Sequence, residues 1–164
     1  MQSAQINMPV PDFVASATSN QRIRLSQVKS HRLLLFFYPK NNTPSSVIEN
    51  QDFAANHQRF ISHNTYIYGI SRESMESNEQ FKKGLNLPFN LIADSNEALC
   101  RLFDVISPKE KFGQIVNSLN RSSFLIDEKG VLIHEWRDTA VKEHVHQILT
   151  LLSQLDEDKL SKAD

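Results

Sequence analysis

An α/β fold, with a mixed central sheet covered by helices on both faces, is predicted by three features of the sequence. Leu33-Leu34-Leu35-Phe36-Phe37-Tyr38 is apolar at odd and even positions alike, which marks a central strand buried from both sides. Apolar residues recur at helical spacing between about 46 and 62 and again between 141 and 155. Late in the chain, strand-like runs at 122–126 and 131–136 flank Asp127-Glu128-Lys129-Gly130, a hairpin turn in which Gly130 is free to take positive φ. A strand with two buried faces requires helices on both sides of its sheet.

The elements follow in order. Pro9-Val10-Pro11-Asp12-Phe13 is an extended lead-in, since each proline drives its predecessor out of the helical region. Ile23 and Leu25 alternate with Arg22 and Arg24, as in a short half-buried strand. After the central strand, a helix is expected from about 46 to 62, with Val47, Ile48, Phe53, Ala54, His57, Phe60 and Ile61 on its apolar face. Residues 66–70 are β-branched and aromatic and predict a strand. A polar helix anchored by Met75 and Phe81 is expected over 74–85, and 87–92 leads into a further strand. Asp94-Ser95-Asn96-Glu97 reads as a capping-box variant opening a short helix through Phe103. Residues 107–119 carry few apolar anchors and predict a surface loop. Val141, Val145, Ile148, Leu149, Leu152 and Leu155 form the stripe of a final helix. One domain is expected over 1–155, followed by a flexible charged tail over 156–164.

Composition limits the function classes. A chain of 164 residues with net charge −1 has neither the basic block of a nucleic-acid binder nor an acidic tail. Its polar N-terminus lacks the layout of a signal peptide, and its longest apolar run is far too short to span a bilayer, so a cytoplasmic protein away from membranes is expected. The single cysteine, Cys100, excludes an internal disulfide and argues against a thiolate metal site. His144 and His146 lie two apart on the last helix and face different ways, so no metal or cofactor is expected.

One stretch carries chemistry. In Tyr38-Pro39-Lys40-Asn41-Asn42-Thr43-Pro44-Ser45-Ser46 an apolar strand feeds a polar turn and then a helix start, where unpaired N–H groups and the helix dipole favour an anion. Pro39-x-x-x-Thr43-x-x-Ser46 resembles the peroxiredoxin active-site loop Pro-x-x-x-Thr-x-x-Cys, and Tyr38-Pro39-Lys40 with Thr43-Pro44 is most similar to the PrxQ/BCP (bacterioferritin-comigratory protein) branch. The resemblance extends from Pro11 to about Leu155 through Gly69-Ile70-Ser71, Leu87-Pro88-Phe89, Arg121-Ser122-Ser123-Phe124-Leu125-Ile126-Asp127 and Gly130. It implies a thioredoxin-like (peroxiredoxin) fold and thiol-dependent peroxide reduction. In that scheme Thr43 supplies a hydroxyl, Arg121 a guanidinium and the helix start its N–H groups, and Pro39 shields the pocket. The implied ligand is a peroxide or small anion at Thr43 and Arg121. A monomer or weak dimer is implied too, with a thioredoxin-like reductant only if a cysteine stands at position 46.

The nucleophile is the point of departure. Ser46 stands where the family has its peroxidatic cysteine, and the two places where PrxQ/BCP subgroups carry a resolving cysteine hold Gln51 and Lys82. Two origins are open, a Cys-to-Ser variant of an active enzyme and a natural loss of the thiol. Pro44-Ser45-Ser46-Val47-Ile48 differs from the family at several adjacent positions, which favours the loss. Ser46-Val47-Ile48-Glu49 also fits a capping box, which needs no catalysis at all. A serine hydrolase would need a base, and no histidine is near Ser46 in sequence. Arg121 has an alternative as the partner of a carboxylate such as Glu49, and Cys100 reads as a small buried hydrophobe, with a relocated redox thiol as its alternative.

Overall fold

The structure, a computed structural model, describes residues 3–28 and 30–162. Its centre is β3 (Arg32–Phe37), six residues all buried. Because side chains alternate across a strand, β3 divides the interior into two cores. Leu33, Leu35 and Phe37 pack on one face with Phe103, Phe124 and Cys100. Leu34, Phe36 and the following Tyr38 pack on the other with Phe53, Phe60, Phe81, Leu149 and Leu152.

Around β3 the chain builds a mixed seven-stranded sheet of order β2-β1-β5-β4-β3-β8-β9. Its strands are β1 (Val14–Ala17), β2 (Gln21–Arg24), β4 (Thr65–Ser71), β5 (Asn90–Ala93), β8 (Ser122–Ile126) and β9 (Leu132–Trp136). β3 runs parallel to β4 and antiparallel to β8. Four helices supply side chains to the Phe53 core: α1 (Pro44–Ala55), α2 (His57–Ser62), α3 (Met75–Leu85) and α5 (His144–Lys162). Helix α4 (Ala98–Leu102) buries Leu99, Cys100 and Leu102 in the core on the opposite face. The expected α/β architecture is therefore present. No helix among the described residues is long and apolar enough to cross a membrane.

Several local expectations are corrected. The helix expected over 46–62 begins at Pro44 and breaks at Asn56, whose Nδ2 donates to the carbonyl of Asp52 at 2.9 Å. Asparagine side chains compete in this way with the helical ladder. The loop expected over 107–119 is a hairpin, β6 (Ile106–Lys111) with β7 (Gln114–Leu119). Its two-residue turn places both Phe112 (φ 52°) and Gly113 (φ 77°) in the left-handed region, which suits the twist of a tight hairpin. Most of its side chains face solvent, so no apolar alternation marks it.

The capping box expected at 94–97 is built differently. Both carboxylate oxygens of Asp94 accept, from the N–H groups of Leu99 (3.0 Å) and Cys100 (2.8 Å), while Glu97 pairs with Arg72 and Arg101. The charged segment expected to be a tail continues α5 to Lys162, with Ala163 and Asp164 outside the described residues. Asp156 accepts from Arg32 Nη2 at 2.8 Å and lies 2.6 Å from His63 Nδ1, which ties this end of the helix to the sheet.

The β3–β4 pairing sets Phe36 opposite Gly69. A Cβ at Gly69 would lie 2.8 Å from both Phe36 Cζ and Leu91 Cδ2. Phe36 cannot swing away, because its ring packs on Tyr38, Phe53 and Phe89. Gly69→Ala is therefore expected to lower stability by about 1–3 kcal/mol, read as a shift of the urea midpoint at unchanged slope.

Candidate active site

The loop after β3 is held by a polar lattice around Asn41, a buried residue that sequence reasoning did not single out. Tyr38 Oη donates to Asn41 Oδ1 at 2.8 Å, and Asn41 Nδ2 donates to Ser77 Oγ (3.0 Å) and Asn78 Oδ1 (2.9 Å). Asn41 N donates to Glu73 Oε1 at 3.0 Å, and the next residue, Asn42, turns the chain at φ 62°. The segment 39–43 is thus fixed from β3 on one side and α3 on the other.

Helix α1 starts two residues before the expected place, and Ser46 is not its cap. Thr43 is the N-cap, and its Oγ1 accepts from Ser46 N at 3.4 Å. Pro44 decides this, since its fixed φ suits the first helical position and its ring forces Thr43 into extended backbone. The Thr43 hydroxyl spends its proton on the carbonyl of Lys40 at 3.3 Å. Glu49 does not reach back to close a capping box. It is one turn deeper, 1 % exposed, and accepts from Arg121 Nη1 at 2.6 Å.

Arg121 precedes β8, whose Ser122 is in register with Phe37 at the end of β3. That register carries the guanidinium to the start of α1. There Nη1 meets Glu49, and Nη2 donates to Ser46 Oγ at 3.3 Å. Thr43, Ser46 and Arg121 therefore form one hydrogen-bonded group, with Glu49 added as the carboxylate behind it. Ser46 is fully buried, and its hydroxyl is met by an arginine rather than by a histidine base. Pro39 lines a groove with Lys40 and Arg72, and Thr43, Ser46 and Arg121 are not among the walls of that groove.

Burial pushes the Glu49 carboxyl up to about 7, against the pull of Arg121 and with a small push from Asp52. Its Oε2 has no hydrogen-bond partner among the described residues, so only the Arg121 side of the carboxyl is compensated. His144, at the start of α5, is also buried, and its Nε2 lies 2.7 Å from Ser123 Oγ. Burial and then the Arg121 charge bring it down to about 4, so it is neutral near pH 7. A position at the first turn of an amphipathic helix is the one sequence signal that could have found it. Cys100 is in the opposite core, where burial first and Asp94 second push its thiol well above the usual range. Such a thiol is inert. Among the described residues no cluster of histidine, cysteine and carboxylate could hold a metal ion.

A helix start with a partly buried guanidinium beside it is suited to binding and polarising oxygen anions. Comparison with known proteins identifies the type. The pattern of the AhpC/TSA family matches residues 6–135. This chain belongs to that family. Within the AhpC/TSA family it is a PrxQ/BCP-type peroxiredoxin. It is 37 % identical to peroxiredoxin Bcp of Bacillus subtilis over 153 residues, which are 93 % of this chain and 98 % of that one. A cysteine-to-serine mutant of Xanthomonas campestris peroxiredoxin Q superposes with a TM-score of 0.86 at 34 % identity, covering 93 % of this chain and 98 % of that one. A cysteine-to-serine mutant of Xylella fastidiosa PrxQ gives 0.88 at 29 % identity, covering 95 % and 99 %.

Glu49 and His144 impose opposite pH dependences on stability. Between pH 4.5 and about 7 the folded chain keeps a Glu49 proton that the unfolded chain has released, so stability falls as pH rises. Between about pH 4 and 6.5 the unfolded chain binds a His144 proton that the folded chain excludes, so stability rises with pH. The two offset each other from 4.5 to 6.5. Urea midpoints across that window are expected to climb with pH in Glu49→Gln and to drop with pH in His144→Gln. Identical slopes in the parent and both variants would refute the assignment.

Proposed function

We propose that this PrxQ/BCP-type peroxiredoxin retains the oxygen-anion frame of its family and has lost turnover, holding a peroxide or small anion between Thr43 and Arg121 without reducing it. The observation that carries this reading is the hydroxyl of Ser46, 3.3 Å from Arg121 Nη2 at the third residue of α1. Peroxide reduction by a thiol passes two electrons from sulfur. The thiolate attacks one peroxide oxygen, the O–O bond breaks, hydroxide or alkoxide leaves, and sulfur becomes a sulfenic acid. A second thiol then condenses with the sulfenic acid, releasing water, and the disulfide is reduced. A serine oxygen has no anion to populate near neutral pH and no stable oxidised form equivalent to the sulfenic acid. The one thiol in the chain, Cys100, is buried in the opposite core with its proton held on. Gln51 and Lys82, at the two resolving positions, offer no substitute.

A second reading is that the chain is a one-atom variant of an active thioredoxin-dependent peroxidase. Thr43, Glu49 and Arg121 favour it, because they surround position 46 in an arrangement a thiolate could use directly. Substitution at position 46 distinguishes the two. The chain itself is expected to consume hydrogen peroxide no faster than buffer in the presence of dithiothreitol, and Cys100→Ser is expected to leave that result unchanged. Dithiothreitol-driven consumption in Ser46→Cys would mark a frame disabled at one atom, and none would mark a scaffold turned to binding. Turnover by the unaltered protein would overturn both.

A further inference from the structure

The hairpin β6–β7 extends from the fold beside the Pro39–Lys40 turn, and a groove of about 470 Å³ runs between them. Four cationic side chains line it: Lys40 from the loop, Arg72 from the end of β4, and Lys109 and Lys111 from β6. Lys109 and Lys111 are two apart on a strand and share one face of the ribbon, while Glu110 between them points to the other. Arg72 Nη1 donates to the carbonyl of Asn117 at 3.0 Å, which fixes the hairpin against the body and so sets the width of the groove. Arg72 is also paired with Glu97 at 3.1 Å, whereas among the described residues no salt bridge engages Lys40, Lys109 or Lys111. Among the described residues no carboxylate lines the groove.

This concentration of charge stands out in a chain of net charge −1. Like charges brought into one concave space repel each other, and a groove with low-dielectric walls focuses their potential on whatever enters it. A single carboxylate would neutralise only one of the three lysines, Arg72 being already paired with Glu97. A di- or triphosphate carries several charges within a few ångströms and can engage several of these donors at once. Ammonium groups on flexible stems and a guanidinium are the usual partners of phosphate oxygens. Pro39 and Val116 add apolar lining to the same space.

We propose that this groove is a binding site for a small molecule bearing two or more linked phosphates. The site stands apart from the Ser46 hydroxyl and does not depend on whether a peroxide binds there. It shares the active-site loop, however, since Pro39 and Lys40 line the groove and the Lys40 carbonyl holds the Thr43 hydroxyl.

Titration of the full chain with sodium tripolyphosphate and with adenosine triphosphate, followed by amide chemical shifts and calorimetry at low salt, tests this. Saturable shifts at Lys40, Arg72, Lys109 and Lys111 are expected. Lys109→Gln with Lys111→Gln is expected to weaken binding roughly tenfold or more, as loss of two charge-assisted contacts requires. Lys83→Gln with Lys142→Gln changes net charge equally outside the groove and is expected to leave the affinity unaltered. Tighter binding of the nucleotide would assign the apolar lining to a base, and equal binding would limit recognition to the phosphate chain. Absence of saturable shifts at millimolar tripolyphosphate would overturn the proposal, as would equal weakening in the two double variants.

Discussion

The Arg121 guanidinium is the interaction on which the site depends. Its two nitrogens reach two residues of α1, Glu49 at 2.6 Å and Ser46 at 3.3 Å, so one side chain from the head of β8 fixes both the depth and the rotation of the helix. The pair with Glu49 is nearly dry. A buried ion pair is weak evidence of net stabilisation, since desolvation offsets much of the attraction, but removing one partner costs about 3–5 kcal/mol. Its value here is positional, because a planar fork with two partners allows one orientation.

Burial gives that pair a second consequence. With Glu49 brought up to about 7, the group behind Ser46 changes its charge near neutral pH. The Arg121 charge is balanced when Glu49 is ionised and uncompensated when Glu49 is protonated. His144 stays neutral through the same range, since the same guanidinium and its own burial disfavour a second cation. Electrostatic frames of this kind stabilise charge on oxygen whatever the nucleophile. The charged frame and the residue at position 46 are thus separable, and in this chain that residue is a serine whose hydroxyl accepts from Arg121.

The loop before α1 owes its rigidity to hydrogen bonds. Asn41 makes four contacts with Tyr38, Glu73, Ser77 and Asn78, which join β3 to α3 across the turn. A side-chain amide held at both its oxygen and its nitrogen resists rotation, so the Pro39–Lys40 turn presents one shape both to Thr43 and to the cationic groove. The groove and the site are therefore built on the same few residues, with the hairpin held in place through Arg72.

The sequence alone determined most of the sheet, its central strand and the helix-start loop, because these depend on local periodicity. A run such as Leu33 to Tyr38 has few conformations that hide every side chain, and Pro39, Thr43 and Pro44 restrict backbone angles within a few residues. The hairpin at 106–119 was not legible, since strands that face solvent on both sides carry no alternation. Nor was the first residue of α1, where Pro44 outweighed a plausible serine cap. Tertiary structure decided what meets what. Only the register of β8 on β3 brings Arg121 to residues 72 and 75 positions away, and only the packing of α5 buries His144 against Ser123. Sequence patterns record the burial of one face at a time, whereas a site is made by side chains whose meeting depends on how distant segments are aligned.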